Sequence, residues 1–362
     1  MFWNKFVFNR GKLSRNTNRL ERLAIYSEST GCSLRRPRVS YISGRTDCNS
    51  ISQYFTVMAN LIFTQLICAF ISSTDPSPLI NWMKNNKLLA TSMECDFCKE
   101  SMMWSTYSQG VDQYRWKCNN RSCEKFTTTK SIRQNSFFEK SHLPLKTWIF
   151  SIYLWTEHTC LANAKNQLGI SHLTASRIYA RFRGICKAYF QRHPISLGGM
   201  GAICEVDESC FSSKPKHHRG RSTDKQMWVF GLVDTSVHPG VGYMQIVERR
   251  DAATLLPIIG EVVKPGSIIH SDEWRAYKKI PENLGFEHKT VNHSIWFVDK
   301  KTNVHTQTIE AYWSKQKRHL RAMKGCKRHV LEDYLQELMF RERHIGNLFY
   351  DFCDTIAEMY PV

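Results

Sequence analysis

Residues 302–328 read TNVHTQTIEAYWSKQKRHLRAMKGCKR, and the interpretation of the other segments depends on this basic stretch. It contains seven Lys or Arg residues and a single acidic residue, Glu310. No residue between 309 and 323 breaks a helix, and an apolar stripe recurs at helical spacing at Trp313, Leu320 and Met323. Two interpretations stay open: a surface helix whose Glu makes intrahelical salt bridges, or a carboxylate that holds a metal ion beside a polyanion.

The charge balance of the chain indicates a polyanionic partner. In 362 residues, 50 Lys and Arg outnumber 32 Asp and Glu, which gives a net charge of +18. Such an excess favours a polyanionic partner, because bound cations release the counterions that condense on nucleic acid. It does not separate DNA from RNA or from an anionic membrane. The length is sufficient for two or three domains.

The opening residues, MFWNKFVFNRGK, lack the apolar core and small-residue cleavage site of a secretory signal. We therefore expect reduced thiols and an intracellular protein. Residues 54–71 are apolar enough to suggest a membrane span. However, polar residues recur every four positions at Thr56, Asn60 and Thr64, so we favour an amphipathic helix that faces the core and expect no membrane.

Four cysteines have the spacing of a zinc site. Cys95 and Cys98 form one CxxC knuckle, and Cys118 and Cys123 form a second knuckle with four intervening residues where two are commoner. The nineteen residues between the knuckles are enough for a hairpin. We predict a structural Zn²⁺ site, because four protein ligands leave no open position for chemistry. The alternative is reduced, buried thiols without a metal.

Residues 143–195 follow a helical pattern. Within them, LANAKNQLGISHLTASRIYARFRGICKAYF predicts a helix, a turn at 168–170 and a second helix that begins after Ser171. We predict that the second helix points several side chains outward: His172, Thr174, Arg177, Arg181 and Arg183. This resembles a helix-turn-helix, with Arg177 and Arg181 as candidate DNA contacts, although solvated arginines would give the same pattern.

Beyond the glycine-rich linker at 198–201, short apolar runs alternate with helical segments. We predict strands at 202–211, 227–235, 242–250, 267–272 and 286–293, with helices at 251–263, at 273–280 and over the basic stretch. This order predicts an α/β fold, a mixed sheet covered by helices.

Three acidic residues fall where such a sheet gathers ligands. Asp207 lies within the first strand, Asp272 ends the fourth, and Glu310 lies on the helix after the fifth. Carboxylates that meet would raise one another's pKa unless cations intervene, and a pair of Mg²⁺ ions would relieve that repulsion. The residues alone leave four rivals open: Glu205, Glu208, Asp234 and Glu273.

Several motifs in this region resemble the catalytic domain of Merlin-superfamily DNA transposases and of the related bacterial insertion-sequence transposases. They are VDESCF, RGR with WVFGLVD, IIHSDEWRAY, VNHS with FVD, HTQTIEAYWSKQKR and YLQELMFRERH. The resemblance continues upstream through the Cys motif and covers roughly residues 60–345.

The resemblance implies a ribonuclease-H-like fold with a DDE triad of Asp207, Asp272 and Glu310. It also implies two Mg²⁺ or Mn²⁺ ions as cofactors, and double-stranded DNA, both transposon terminal repeats and target, as the partner. A dimer or larger assembly follows from the need to join two ends. The rival acids then take supporting or structural roles. We expect a nuclear protein if the host is eukaryotic and a cytoplasmic one otherwise.

Two groups of cations are candidate DNA contacts beside this triad. A loop after the first strand would clamp phosphates through Lys214, Arg219 and Arg221. The basic helix would line the DNA path through Lys315, Lys317, Arg318 and Arg321.

These expectations divide the chain into a basic arm at 1–50, N-terminal helices at 51–92, a zinc ribbon at 93–135, a helix-turn-helix region at 143–195, a catalytic domain at 200–345 and a C-terminal helix or tail at 346–362. Two other functions stay open. One is a domesticated DNA-binding protein that keeps the fold but does not cut, and the other is a general nuclease.

Overall fold

Five strands of the C-terminal half form one mixed sheet in the computed structural model, which describes residues 64–211, 226–292, 298–299, 302–323 and 326–362. The basic arm, the first part of the predicted helix at 54–71, and Lys214, Arg219 and Arg221 lie outside these residues. The described residues all belong to one unit, residues 61–362. No helix within them is both long and apolar enough to cross a membrane.

The N-terminal part combines two helices with a small sheet. Residues 64–72 are helical (α1), and Pro76 precedes α2 (Ser77–Asn85). Strands β1 (Met103–Thr106), β2 (Tyr114–Lys117) and β3 (Thr129–Ser131) form an antiparallel sheet. The ammonium group of Lys84 lies 3.4 Å from the centre of the Trp104 ring, which joins α2 to this sheet.

A helical region follows, made of α3 (Leu145–Thr156), α4 (Leu161–Leu168) and α5 (His172–Arg192). Gly169 ends α4 in the left-handed conformation at φ 63°, and Ser171 caps α5 by accepting the Thr174 N–H. The predicted helix, turn and helix are therefore confirmed as secondary structure. The C-terminal helix α10 (Leu348–Met359) packs on this region through Phe352, whose ring lies 4.4 Å from that of Trp155.

The larger sheet has the order β6-β5-β4-β7-β8, with bounds β4 (Ile203–Cys210), β5 (Trp228–Asp234), β6 (Val241–Val247), β7 (Ile268–Asp272) and β8 (Glu287–Val291). β4 is central and pairs antiparallel with β5 and parallel with β7. All five predicted strands are confirmed. Helices cover both faces, as the predicted α/β fold requires.

Alternate residues of β4 pack on the two faces of the sheet. Cys204 and Val206 join the core beneath α6 (Ala252–Val262) and α7 (Ile280–Leu284). The opposite face carries α8 (Gln307–Ala322) and α9 (Leu331–Arg343), whose apolar side chains pack on β5 and β6. The helix predicted for the basic stretch is confirmed as α8.

The predicted helix over residues 273–280 is wrong. The chain forms a single 3₁₀ turn at Arg275–Tyr277, and α7 starts only at Ile280. Asp272 Oδ1 accepts the Trp274 N–H at 2.9 Å, which holds Trp274 extended and stops a helix from starting at the strand end. Pro281 lies in the first turn of α7, where its missing N–H costs nothing.

Candidate functional site

Helix α8 runs alongside β4 and is bonded to it at regular intervals. Three hydrogen bonds join every second residue of β4 to every fourth residue of α8. Glu205 Oε2 accepts the Ile309 N–H at 2.8 Å, and Asp207 Oδ2 accepts Trp313 Nε1–H at 2.9 Å. Ser209 Oγ accepts a hydrogen bond from Lys317 Nζ at 2.7 Å. Two strand residues span about 6.6 Å and four helical residues about 6 Å, so the two repeats stay in step. These three bonds fix the position of α8, and therefore of Glu310, along β4.

The hydrogen bond between Trp313 and Asp207 requires a glycine on the neighbouring strand. Gly231 of β5 pairs with Asp207, and a Cβ at Gly231 would lie 2.4 Å from the Trp313 ring. The indole therefore lies against bare backbone, where its N–H reaches the Asp207 carboxylate. Neither Trp313 nor Gly231 was among the predicted site residues. The helical spacing of Trp313 marked it only as an apolar residue.

Glu205 holds the first turn of α8 in place. Its side chain is fully buried, and it accepts the N–H of Ile309, one of the amides that a helix start leaves without a partner. His305 Nδ1 lies 3.1 Å from the other carboxylate oxygen. This rival acid therefore positions Glu310, which is exposed in the same helical turn.

Asp272 lies beside Asp207 on the sheet. β4 pairs with β7 in parallel at Ile203↔Ile268, Cys204↔Ile269 and Glu205↔His270. Continued for two more residues, the same offset of 65 relates Asp207 to Asp272 and puts the two acids on one face, and the charge of Asp272 acts on Asp207. Both are half-buried at the same edge of the sheet.

The pKa of Asp207 responds to both other acids of the predicted triad. Burial raises the pKa of Asp207 to about 6, against the lowering effect of the Trp313 and Glu208 N–H donors. The charges of Asp272 and Glu310 raise it further. A divalent cation would relieve this repulsion.

The three carboxylates do not form a site for one ion. Among the described residues, only the four cysteines bring three or more ligand atoms within 4.8 Å of one another. A pair of ions can be held by carboxylate oxygens that lie farther apart. Ions about 3.5–4 Å apart, each about 2 Å from its ligands, allow the outermost oxygens to lie about 8 Å apart.

Glu208 faces the other side of β4 and accepts a hydrogen bond from the buried Tyr277 hydroxyl. Burial raises the pKa of Glu208 to about 7. The Tyr277 donor opposes this rise, and the charges of Asp207 and Asp272 add to it. Tyr277, from the IIHSDEWRAY motif, is thus the partner of a rival acid, and sequence reasoning missed this contact.

The remaining rival acids have local structural partners. Asp234 accepts hydrogen bonds from the N–H groups of Gly198 and Ser236, which fixes the turn before β4. Glu273 is exposed and accepts a hydrogen bond from the Asn292 side chain at 2.7 Å.

The cations predicted on α8 differ in their surroundings. Lys317 is partly buried against Ser209 and the Phe211 ring, and burial lowers its pKa. The other three, Lys315, Arg318 and Arg321, are exposed on the helix surface. Lys317 is therefore bonded to β4, two residues beyond Asp207.

The four predicted zinc ligands form one cluster. Cys95 Sγ and Cys123 Sγ are 3.8 Å apart, as are Cys98 Sγ and Cys118 Sγ. Four thiolates at about 2.3 Å from a tetrahedral zinc ion lie about 3.8 Å from one another. A disulfide would need about 2.05 Å. The cluster therefore has the size of a zinc site.

The arginines predicted to face outward from α5 have three different environments. Arg177 is exposed. Arg181 donates to the Phe137 carbonyl at 2.5 Å and stacks on the Phe137 ring, so part of its bonding capacity is used inside the fold. For Arg183 the prediction is wrong: its side chain is buried and lies 3.7 Å from Glu337 of α9, because α9 packs along this face of α5.

Known sequences that resemble this chain are described as transposases or as proteins of transposable elements. Residues 198–343 match the family described as the ISXO2-like transposase domain. An uncharacterized transposase-like protein of Haemophilus influenzae is 36% identical over 99 residues, which are 27% of this chain and 78% of the relative. An uncharacterized protein in transposable element ISH50 of Halobacterium salinarum is 22% identical over 266 residues, 68% of this chain and 84% of that protein.

Solved structures give only weak similarity. The simian T-cell lymphotropic virus intasome in complex with a PP2A regulatory subunit aligns at 14% identity and a TM-score of 0.28, over 54% of this chain and 69% of that one. The Mos1 strand transfer complex aligns at 11% identity and a TM-score of 0.27, over 59% and 75%. Scores this low do not establish a common fold. The match over 198–343 and the Haemophilus relative do establish the family: the chain belongs to the ISXO2-like transposases.

Proposed function

We propose that the protein is a metal-dependent DNA transposase that cuts transposon ends and joins the freed 3′-hydroxyl to target DNA. Family membership supports the transposase activity. One observation supports the catalytic residues: Asp207 and Asp272 hold equivalent positions on adjacent parallel strands, and α8 brings Glu310 close enough to act on the pKa of Asp207.

Two Mg²⁺ or Mn²⁺ ions fit this set of donors, because hard cations prefer carboxylate oxygens. Asp207 and Asp272 would hold the pair, and Glu310 would complete the coordination of one ion. When bound, the ions would activate the attacking oxygen and stabilise the leaving oxygen.

The chain itself supplies the orientation. Trp313 fixes the orientation of the Asp207 carboxylate by donating to Oδ2. Glu205 fixes the first turn of the helix that carries Glu310. Lys317 keeps an ammonium group beside the acids, where it would meet a DNA phosphate.

The same proposal assigns double-stranded DNA to the basic surfaces. The exposed cations of α8, Arg177 of α5 and the cations of the loop at 214–221 are its candidate contacts. Because Arg181 is already bonded to Phe137, we assign it a smaller share of DNA affinity than Arg177.

The upstream elements would serve end recognition. We propose that the Cys cluster with β1–β3 is a zinc ribbon, that α4 and α5 are a helix-turn-helix, and that the mixed sheet is ribonuclease-H-like. We also propose that two or more copies assemble to join two transposon ends.

The test is a cleavage and joining assay with the full chain, linear DNA that carries the terminal repeats of its element, and Mg²⁺ or Mn²⁺. We expect cut and joined products from the wild type and none from Asp207→Asn or Glu310→Gln. Glu273→Gln is the matched control, since this exposed acid adjoins Asp272 but bonds to Asn292. Binding without cutting, unchanged in every variant, would instead support the domesticated alternative, and cutting without joining would support a general nuclease.

A further inference from the structure

Two tryptophans and an arginine stack at the sheet edge that carries the acids. The Arg250 guanidinium lies 3.7 Å from the centre of the Trp228 ring and 5.4 Å from that of Trp274. Trp228 begins β5, where it pairs with Cys210 of β4 and Val247 of β6. The stack therefore lies at the end of the sheet towards which β4 continues from Asp207.

Two hydrogen bonds tie the Trp274 residue to this edge. Its backbone N–H donates to Asp272 Oδ1 at 2.9 Å, and its indole N–H donates to the Arg250 carbonyl at 3.1 Å. The ring is thus held next to a proposed metal ligand, not on a free loop.

The Trp274 ring is nevertheless open to solvent. It is 36% exposed, and within the described ranges no other aromatic ring packs on it. The exposed Arg275 also lies 5.9 Å from the ring centre. An exposed, positioned aromatic surface beside two guanidinium groups suits a ligand that is both flat and anionic. A nucleotide has both properties, whereas a phosphate alone would not use the ring.

We propose that Trp274 is a stacking subsite for one unpaired base of the DNA strand whose phosphate lies at the acids. This inference rests on the proposed function. A base beside the reacting phosphate must leave the duplex to reach such a ring, and stacking on an aromatic side chain repays the loss of pairing. Arg250, held between the two indoles, would keep the Trp274 ring at a constant angle.

The test compares two labelled duplexes of one sequence, one fully paired and one with mismatched pairs at its end, with Ca²⁺ in place of Mg²⁺. We expect the full wild-type chain to bind the mismatched duplex more tightly by about 5- to 150-fold, the equivalent of about 1–3 kcal/mol of base stacking. Trp274→Ala should bind both duplexes equally. Trp274→Phe keeps a stacking ring without the indole N–H and should keep most of the preference.

Tyr360→Ala is the matched control, because Tyr360 is an exposed aromatic residue after α10, outside the mixed sheet, the Cys cluster and the helix-turn-helix region. It should leave the preference unchanged. A preference that persists in Trp274→Ala would overturn the subsite, and so would an equal loss in Trp274→Phe and Trp274→Ala, which would assign the effect to the bond with Arg250. A wild type that binds both duplexes equally would overturn the subsite alone, whereas a wild type that binds no DNA would overturn the proposed function as well.

Discussion

The indole of Trp313 donates its N–H to Asp207 across 2.9 Å and lies over Gly231, the residue paired with Asp207 on β5. One side chain of α8 thus both orients an acid of the proposed triad and fills the space left by a missing side chain on the sheet. We predict that Trp313→Phe keeps the packing but loses the donor. Since a hydrogen bond to a charged group contributes about 1.5–3 kcal/mol, DNA cleavage at limiting Mg²⁺ should fall about 10- to 100-fold. Unchanged cleavage and unchanged Mg²⁺ dependence would show that the bond has no role.

Gly231 should not tolerate a larger residue. A Cβ there would lie 2.4 and 2.5 Å from two atoms of the Trp313 ring, so we predict that Gly231→Ala lowers the free energy of unfolding by about 1–3 kcal/mol. Urea denaturation measures this difference. Gly260→Ala, in α6, is the control. A Cβ at Gly260 would meet only the flexible Leu284 side chain, at 3.2 Å. Equal stability of the two variants would exclude the proposed close packing.

Removal of the buried Glu205 carboxylate should affect both stability and cleavage. Glu205→Ala leaves the Ile309 N–H without its acceptor, which costs about 1–3 kcal/mol and releases the turn that carries Glu310. Glu205→Gln keeps an oxygen acceptor and should retain more of both properties. Glu261→Ala, at an exposed acid of α6, serves as the control in the same unfolding and cleavage measurements. If Glu205→Ala cleaved DNA at the wild-type rate, Glu205 would not position Glu310.

Stability without Mg²⁺ should fall as pH rises towards neutrality. The pKa of Glu208 is raised from 4.5 to about 7 and that of Asp207 from 3.8 to about 6, chiefly by burial. Because the folded state holds these protons more tightly than the unfolded state, their contribution is complete below pH about 4 and is lost as pH rises through about 6 to 7. In Glu208→Gln the part of this loss near pH 7 should disappear. Urea denaturation of both proteins across this pH range checks it, and parallel pH profiles would refute the shift at Glu208.

Zinc content should follow the Cys cluster. We predict one zinc ion per chain in the wild type, and loss of that ion with a lower thermal midpoint in Cys95→Ser and Cys123→Ser. Cys160→Ser is the control, because Cys160 is an exposed thiol outside the cluster. Wild-type protein without bound zinc would show that the four thiols are only buried cysteines.

The sequence was sufficient to predict the strands and the helix α8, because alternating and helical patterns report burial directly. The proximity of Asp207 and Asp272 could not be derived from those patterns. It depends on which strands are adjacent and in what register. Periodicity did not distinguish the three acids from their rivals, and the choice among them came from the family resemblance.

The supporting residues were missed for physical reasons. In the sequence, Trp313 and Tyr277 have the pattern of ordinary core aromatic residues. Their roles depend on the hydrogen bonds that they donate to Asp207 and Glu208, which the sequence does not show. Arg183 was predicted to be exposed because the sequence of α5 does not show that α9 packs against this face. The missed 3₁₀ turn after Asp272 arises from one side-chain bond to the Trp274 N–H, which outweighs helix propensity.

We propose that β4, β7 and α8 place three acids around a pair of divalent ions. The most direct measurement is the anomalous X-ray signal of crystals soaked in Mn²⁺. We predict two peaks about 3.5–4 Å apart, contacted by Asp207, Asp272 and Glu310. Manganese bound elsewhere, or no manganese at these acids, would contradict the account.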